Sequence, residues 1–179
     1  MGNVPRCSTM DVVTTRPEPP LTGNERDTLR AFLDFHRATL ALKCEGLSDD
    51  ELRRRSMPPS TLSLLGLVRH MAEVERTWFR KVVNGEDITN VWSAANDYQV
   101  AYDATGATRE SAFAAWEHEV ERAREIERAA ESLDVVVYQP RWEQHVSLRL
   151  VMHHMCHEYA RHNGHADFLR EGVDGVTGV

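Results

Sequence analysis

The segment from Ser147 to Glu171 contains no proline and holds at its centre the run His154-Met155-Cys156-His157-Glu158-Tyr159-Ala160-Arg161-His162-Asn163-Gly164-His165. Apolar residues recur through it at three- and four-residue intervals, which predicts one helix, because a helix turns about 100° per residue and stacks such positions on one face. His154, Glu158, His162 and His165 share that face with Val151, Met155 and Leu169. An ordinary buried stripe is made of leucine, valine and alanine. This one is interrupted by ionisable groups, all of them metal-ligand types. Other elements have to cover the stripe, yet ionisable groups buried without partners would cost several kcal/mol each. The covering element must therefore bring hydrogen-bonding partners, or a further ligand to a shared ion. A solvated histidine-rich face is the plainer alternative, and the apolar members of the stripe argue against it.

Three more long helical patterns precede this one. Thr22-Gly23-Asn24-Glu25 has capping-box spacing, and Leu29, Phe32, Leu33, Phe35, His36 and Leu40 follow in helical period until about Gly46. His36 lies among apolar neighbours and reads as a structural histidine. Ser48-Asp49-Asp50-Glu51 opens a short helix that stops before Pro58-Pro59. Ser60 is expected to start the second long helix, Thr61 to Asn84, closed by Gly85. Its inward stripe is Ser63, Gly66, Leu67, His70, Val74, Thr77 and Trp78, and small residues leave room around His70. That makes His70 the natural third ligand for the C-terminal stripe. Residues 86–107, with Trp92, Asn96, Tyr98 and Tyr102, form a loop long enough to suggest function. Thr108 caps the third long helix, Arg109 to Ser132, whose Glu- and Arg-rich face reads as solvated. Leu133 to Tyr138 is a β-branched link or a small strand ending at Pro140, and Ser147 opens the last helix.

The expected fold is therefore all-α, a four-helix bundle with helices near 22–45, 61–84, 109–132 and 147–171. Leu33, Leu67, Val74, Trp116 and Val151 are expected inside. Residues 1–20, punctuated by Pro5, Pro17, Pro19 and Pro20, read as a flexible lead-in to a domain spanning 21–175. A length of 179 residues suits one domain with a full core. The net charge of −7 argues against nucleic acid or an anionic membrane as partner. No apolar run approaches the ~18 residues of a membrane span, and the N-terminus lacks a signal-peptide core, so the expected address is the cytoplasm. Cys7, Cys44 and Cys156 are odd in number and lack ligand spacing, as free thiols in a reducing compartment would be.

Two stretches carry a resemblance. One is Ser60-Thr61-Leu62-Ser63-Leu64-Leu65-Gly66-Leu67-Val68-Arg69-His70-Met71-Ala72-Glu73-Val74-Glu75-Arg76-Thr77-Trp78-Phe79. The other is Glu158-Tyr159-Ala160-Arg161-His162-Asn163-Gly164-His165-Ala166-Asp167-Phe168-Leu169-Arg170-Glu171. Together they resemble the DinB/YfiT-like superfamily, in particular its mycothiol-transferase-like actinobacterial branch, over roughly residues 22–175. The resemblance implies a four-helix bundle carrying a divalent metal (Zn, Ni or Fe) on three side chains, which match His70, Glu158 and His162. Many members have His at the position of Glu158; a carboxylate there is similar to the mycothiol-dependent maleylpyruvate isomerase variant of the site. His165 stands where relatives often have Gln, which implies a catalytic or supporting contact to water or substrate.

Two His and one Glu leave at least one coordination position open, as in a catalytic site. The resemblance implies a metal-dependent thiol S-transferase, or a thiol-dependent isomerase or lyase, using a low-molecular-weight thiol such as mycothiol on a small electrophile. It would act alone or as a homodimer. A non-catalytic metal-binding stress protein and a metal-dependent hydrolase use the same ligands and stay open. Arg76, Arg80, Arg161 and the Trp92–Tyr102 loop are candidates for contacting the thiol, and His165 or Glu73 for moving a proton.

Overall fold

The computed structural model describes residues 16–95 and 97–178. Helix α1 (Glu25–Lys43) leads to a short α2 (Asp49–Arg53) and then to α3 (Leu64–Glu75), which continues as a π-helical stretch, Arg76–Val83. A loop containing one 3-10 turn, Tyr98–Tyr102, connects to α4 (Arg109–Ala129). A hairpin of β1 (Val136–Gln139) and β2 (Gln144–Ser147) precedes α5 (Leu148–Asp174). Helix α1 packs on α5, α3 on α4, and α3 also meets α5. This is an all-α bundle of four long helices, and Leu33, Leu67, Val74, Trp116 and Val151 are all buried in it.

Local chemistry explains most of the helix ends. Ser48 and Glu51 form the expected capping box, Thr108 caps α4, and the Ser147 side chain accepts from Leu150 N. Two starts differ from expectation. Asn24, not Thr22, caps α1, its Oδ1 accepting the Asp27 amide at 2.9 Å; asparagine is at least as good a cap as threonine. The second long helix starts three residues later than its leading serine suggests, because Ser63, not Ser60, accepts the Gly66 amide at 3.1 Å. At its far end the Asn84 amide donates to the Phe79 carbonyl, five residues back, and Gly85 at φ 64° ends the helix. The last helix runs past Glu171 to a left-handed Gly175.

The β-branched link is a strand. Its partner, Gln144–Ser147, lacks a strong strand pattern in the sequence, and it pairs antiparallel from Val136↔Ser147 to Gln139↔Gln144. Phe32, counted in the helical period of α1, is 44 % exposed, while Arg37 from the same helix is buried. The face of α4 read as solvated also contains two buried carboxylates. Glu119 accepts from Arg76 at 2.6 Å and Arg80 at 3.1 Å; Glu127 accepts from Arg26 at 2.7 Å and Arg30 at 2.5 Å. These pairs tie α4 to α3 and to α1, and a carboxylate survives burial only when so paired.

One buried polar network reaches all four long helices. Arg37 of α1 forms two 2.8 Å hydrogen bonds to Glu75 of α3. Tyr159 of α5 donates to Glu75 Oε1 at 2.7 Å, and Trp116 of α4 donates to the Tyr159 hydroxyl oxygen at 2.8 Å. Residues 1–15, including Cys7 and most of the lead-in read as flexible, lie outside the described residues. Cys44 is buried and Cys156 half-buried, both free; burial pushes the Cys44 thiol up to about 12. No helix among the described residues is long and apolar enough to cross a membrane.

Candidate metal centre and its cavity

His70 sits in the middle of α3, and Glu158 and His162 stand one turn apart on α5. Packing of α3 against α5 brings one ligand-type atom from each to within 4.8 Å of the others. Nδ1 of His70 and Nε2 of His162 are buried and have no hydrogen-bond partner. Native structures leave few buried imidazole nitrogens in that state. His162 Nε2 lies 3.4 Å from Glu158 Oε2, where it makes no hydrogen bond. Burial takes His70 down to about 3, so its imidazole is neutral at pH 7 with a lone pair free. The His162 imidazole, helped by Arg161 and His154, holds the Glu158 carboxyl down to about 2 against the effect of burial. A neutral His70 imidazole, the orphaned His162 nitrogen and an ionised carboxylate are a donor set of the kind a divalent cation takes, so the residues present fit such an ion.

The long loop is part of this site. The Tyr102 ring stacks on His70 with centroids 4.3 Å apart and planes 16° from parallel. Gly66, one turn before His70, makes that approach possible: a Cβ there would stand 2.6 Å from the Tyr102 carbonyl oxygen. Arg69 straps the loop from beside His70, donating to the Ala101 carbonyl at 3.0 Å and lying 3.9 Å over the Trp92 ring. Trp92 returns its indole N–H to the Arg69 carbonyl at 3.1 Å and its amide to Glu73 Oε1 at 2.8 Å.

The cluster opens on a cavity of about 500 Å³. Val74, Thr77 and Trp78 line it from the α3 side, Asp97, Tyr98, Gln99 and Tyr102 from the loop, and His154, Glu158 and Arg161 from α5. The hairpin supplies Gln139, Arg141 and Trp142. The π-helical stretch begins here, at the kind of position where such stretches cluster around function.

The candidates from the sequence separate into two groups. His70, Glu158 and His162 converge, and Arg161, Tyr98 and Tyr102 face the cavity, Arg161 bonded to Glu158 at 2.7 and 2.9 Å. Arg76 and Arg80 do not line it, since both are held by Glu119, with Arg76 also on the Thr89 carbonyl and Arg80 on Glu86. Glu73 is buried and secures Trp92, and Trp92 in turn secures the loop. His165 is exposed behind His162, its Nδ1 3.4 Å from His162 Nδ1, and does not line the cavity. His36 is not part of the cluster and does not line the cavity; it is half-buried with its ring edge-on to Phe35 at 5.6 Å, and its carbonyl accepts from the Asn163 side chain at 3.0 Å. The hairpin residues had no signal beyond the aromatic Trp142 beside the Pro140 turn.

Fold and cluster together define a class: a helical bundle whose facing helices build a candidate metal centre open to a cavity. Within that class, the family model described as Mycothiol-S-transferase matches residues 28–175, and the chain belongs to that family. Membership implies thiol transfer, with mycothiol as the thiol. No curated protein matches the sequence.

Proposed function

We propose that the protein is a divalent-metal-dependent mycothiol S-transferase, with the ion held by His70, Glu158 and His162. The observation that carries this reading is the pair of orphaned imidazole nitrogens, His70 Nδ1 and His162 Nε2, beside the Glu158 carboxylate at a cavity wall. When bound, the ion supplies Lewis acidity that makes a thiolate available at neutral pH. Two imidazoles and one carboxylate suit Zn²⁺, Ni²⁺ or Fe²⁺ alike.

The chain's own residues do the rest. Tyr102 stacks on His70 and fixes its ring, and Arg161 fixes the Glu158 carboxylate. His165 acts as a positioning residue: its contact with His162 Nδ1 leaves Nε2 turned to the cluster. His154 faces the cavity with its basicity lowered by burial, so it is neutral at pH 7 and able to take the thiol proton. The sulfur lone pair forms the new S–C bond, and the displaced group leaves with the electron pair of the bond that breaks.

The test is consumption of mycothiol with a small electrophile by purified protein, before and after exhaustive chelation and with His70→Ala. Metal-dependent consumption lost in the variant is expected. Undiminished consumption after complete metal removal, with the fold intact by circular dichroism, would overturn the metal's role. Metal binding without thiol consumption would instead favour a non-catalytic protein.

A further inference from the structure

The cavity wall nearest the hairpin has a different chemistry from the wall holding the ligands. Trp78, Trp142 and His154 form one aromatic surface: Trp78 lies 4.3 Å from His154 and 5.1 Å from Trp142, and Trp142 lies 5.8 Å from His154, between ring centroids. Trp142 contacts both rings, lines the cavity and still leaves 42 % of itself exposed. The turn that presents it is ordered. The Arg141 amide donates to Gln139 Oε1 at 2.9 Å, the Trp142 amide to the Gln139 carbonyl at 3.2 Å, and Gln139 itself is buried.

Arg141 adds a charge at the edge of this surface. Among the described residues no carboxylate lies within ion-pair distance of its guanidinium, whereas Arg161, the other arginine on the cavity, is neutralised by Glu158. The chain holds 28 acidic residues against 21 basic ones, so an arginine on a cavity without an acidic partner is not for want of carboxylates. Thr77 contributes a buried hydroxyl with no hydrogen-bond partner on the same cavity.

We infer that this wall is the subsite for the electrophile, and that it selects a planar aromatic molecule bearing a carboxylate or sulfonate. The ring lies against Trp142 and Trp78, the anion meets the Arg141 guanidinium, and Thr77 donates a hydrogen bond. The assignment rests on the thiol-transferase reading of the cavity. With a chloronitrobenzoate as electrophile, the mycothiol thiolate would form the C–S bond and chloride would leave with the C–Cl electron pair. The thiol proton would pass to water.

Binding can be measured without chemistry. Calorimetric titration of the metal-loaded protein with unreactive 3,5-dinitrobenzoate and with neutral 1,3-dinitrobenzene compares the two ligand classes directly. The anion should bind roughly tenfold more tightly, the size of one charge-assisted hydrogen bond. Arg141→Gln should erase that preference and Arg141→Lys should restore part of it, while Trp142→Ala should weaken both ligands together. A preference that survives Arg141→Gln, or its absence in the unaltered protein, overturns the inference. In the turnover arm, mycothiol with 4-chloro-3,5-dinitrobenzoate is compared with mycothiol and 1-chloro-2,4-dinitrobenzene. The anion-to-neutral ratio of kcat/KM should fall by about the same factor in Arg141→Gln. Selective binding without thiol consumption supports the subsite and overturns the transferase reading. Thiol consumption without selective binding does the reverse.

Discussion

Changing Tyr159 to phenylalanine deletes one oxygen from the centre of the bundle. That oxygen accepts the Trp116 indole N–H at 2.8 Å and donates to Glu75 Oε1 at 2.7 Å. Burial, more than the neighbouring Glu75 carboxylate, pushes the tyrosine hydroxyl well above its ordinary value, so it is a neutral donor throughout the working range. Phenylalanine fills nearly the same volume, and the gap left by one oxygen is too small for a water molecule. The indole N–H is then buried without a partner, at a cost of about 1–3 kcal/mol. The Glu75 carboxylate loses a charge-assisted bond worth about 1.5–3 kcal/mol but keeps both bonds from Arg37. A loss of about 3–4 kcal/mol follows, or roughly 10 °C in Tm for a chain of this size.

Urea titration followed by circular dichroism reads this directly, as a lower midpoint with an unchanged slope. Glu75→Gln is the companion change: it removes the buried one of the two carboxylates on Arg37, leaving Asp34 at 3.1 Å, and should cost about 3 kcal/mol. Because Tyr159 and Glu75 touch, the double variant should lose measurably less than the sum of the singles. A Tyr159→Phe effect below about 1 kcal/mol, or strict additivity, would refute the view that one hydrogen-bonded network joins the four helices.

Loss of His70 as alanine should reduce Zn²⁺ affinity by more than the ~10–100-fold typical of supporting residues, whereas His36→Ala should leave it unchanged; calorimetric metal titration decides. The metal-free protein should lose stability as pH falls from 6.5 toward 3, by up to roughly 1.4 kcal/mol per pH unit, with no contribution from this group above 6.5. The sign follows because the unfolded chain protonates a histidine that burial keeps neutral in the fold; His70→Gln should flatten that limb of the pH–stability curve. Gly66→Ala should cost about 1–3 kcal/mol by driving a methyl into the Tyr102 carbonyl, and amide hydrogen exchange in residues 98–102 should rise.

The bundle and the three side chains that converge in it were readable in the sequence because both depend on local periodicity. His70 and the Glu158/His162 pair are set by the spacing of one helix each, and each helix shows its apolar face in its own residues. The buried charges were hidden because their partners are far apart in the chain. Glu119 and Glu127 look like ordinary members of an exposed Glu/Arg face until α3 and α1 bring arginines over them. Arg37 and Glu75 are separated by 38 residues, and Tyr159 and Glu75 by 84. No helical wheel contains both members of such a pair. The hairpin was hidden for a related reason: Gln139, Arg141 and Trp142 enter the cavity only because β1 and β2 fold back toward the end of α3.

The same network explains how a site on two helices can be held in register. Tyr159 is the residue after Glu158, and Glu75 lies five positions after His70 on the same helix. A hydrogen bond of 2.7 Å between Tyr159 and Glu75 therefore constrains the rise and rotation of α5 against α3 within a turn and a half of His70, Glu158 and His162. Apolar contacts alone would resist separation of the helices, yet they permit sliding, since leucine and methionine side chains repack at small cost. A directional bond between buried partners does not permit it, because any slide leaves a carboxylate, an indole N–H or a guanidinium unpaired. Tyr159→Phe should on this argument weaken Zn²⁺ binding roughly tenfold, although it touches no ligand, as loss of a supporting partner does elsewhere. Unchanged Zn²⁺ affinity in a variant destabilised by the expected amount would separate the two roles and leave the network a matter of stability alone.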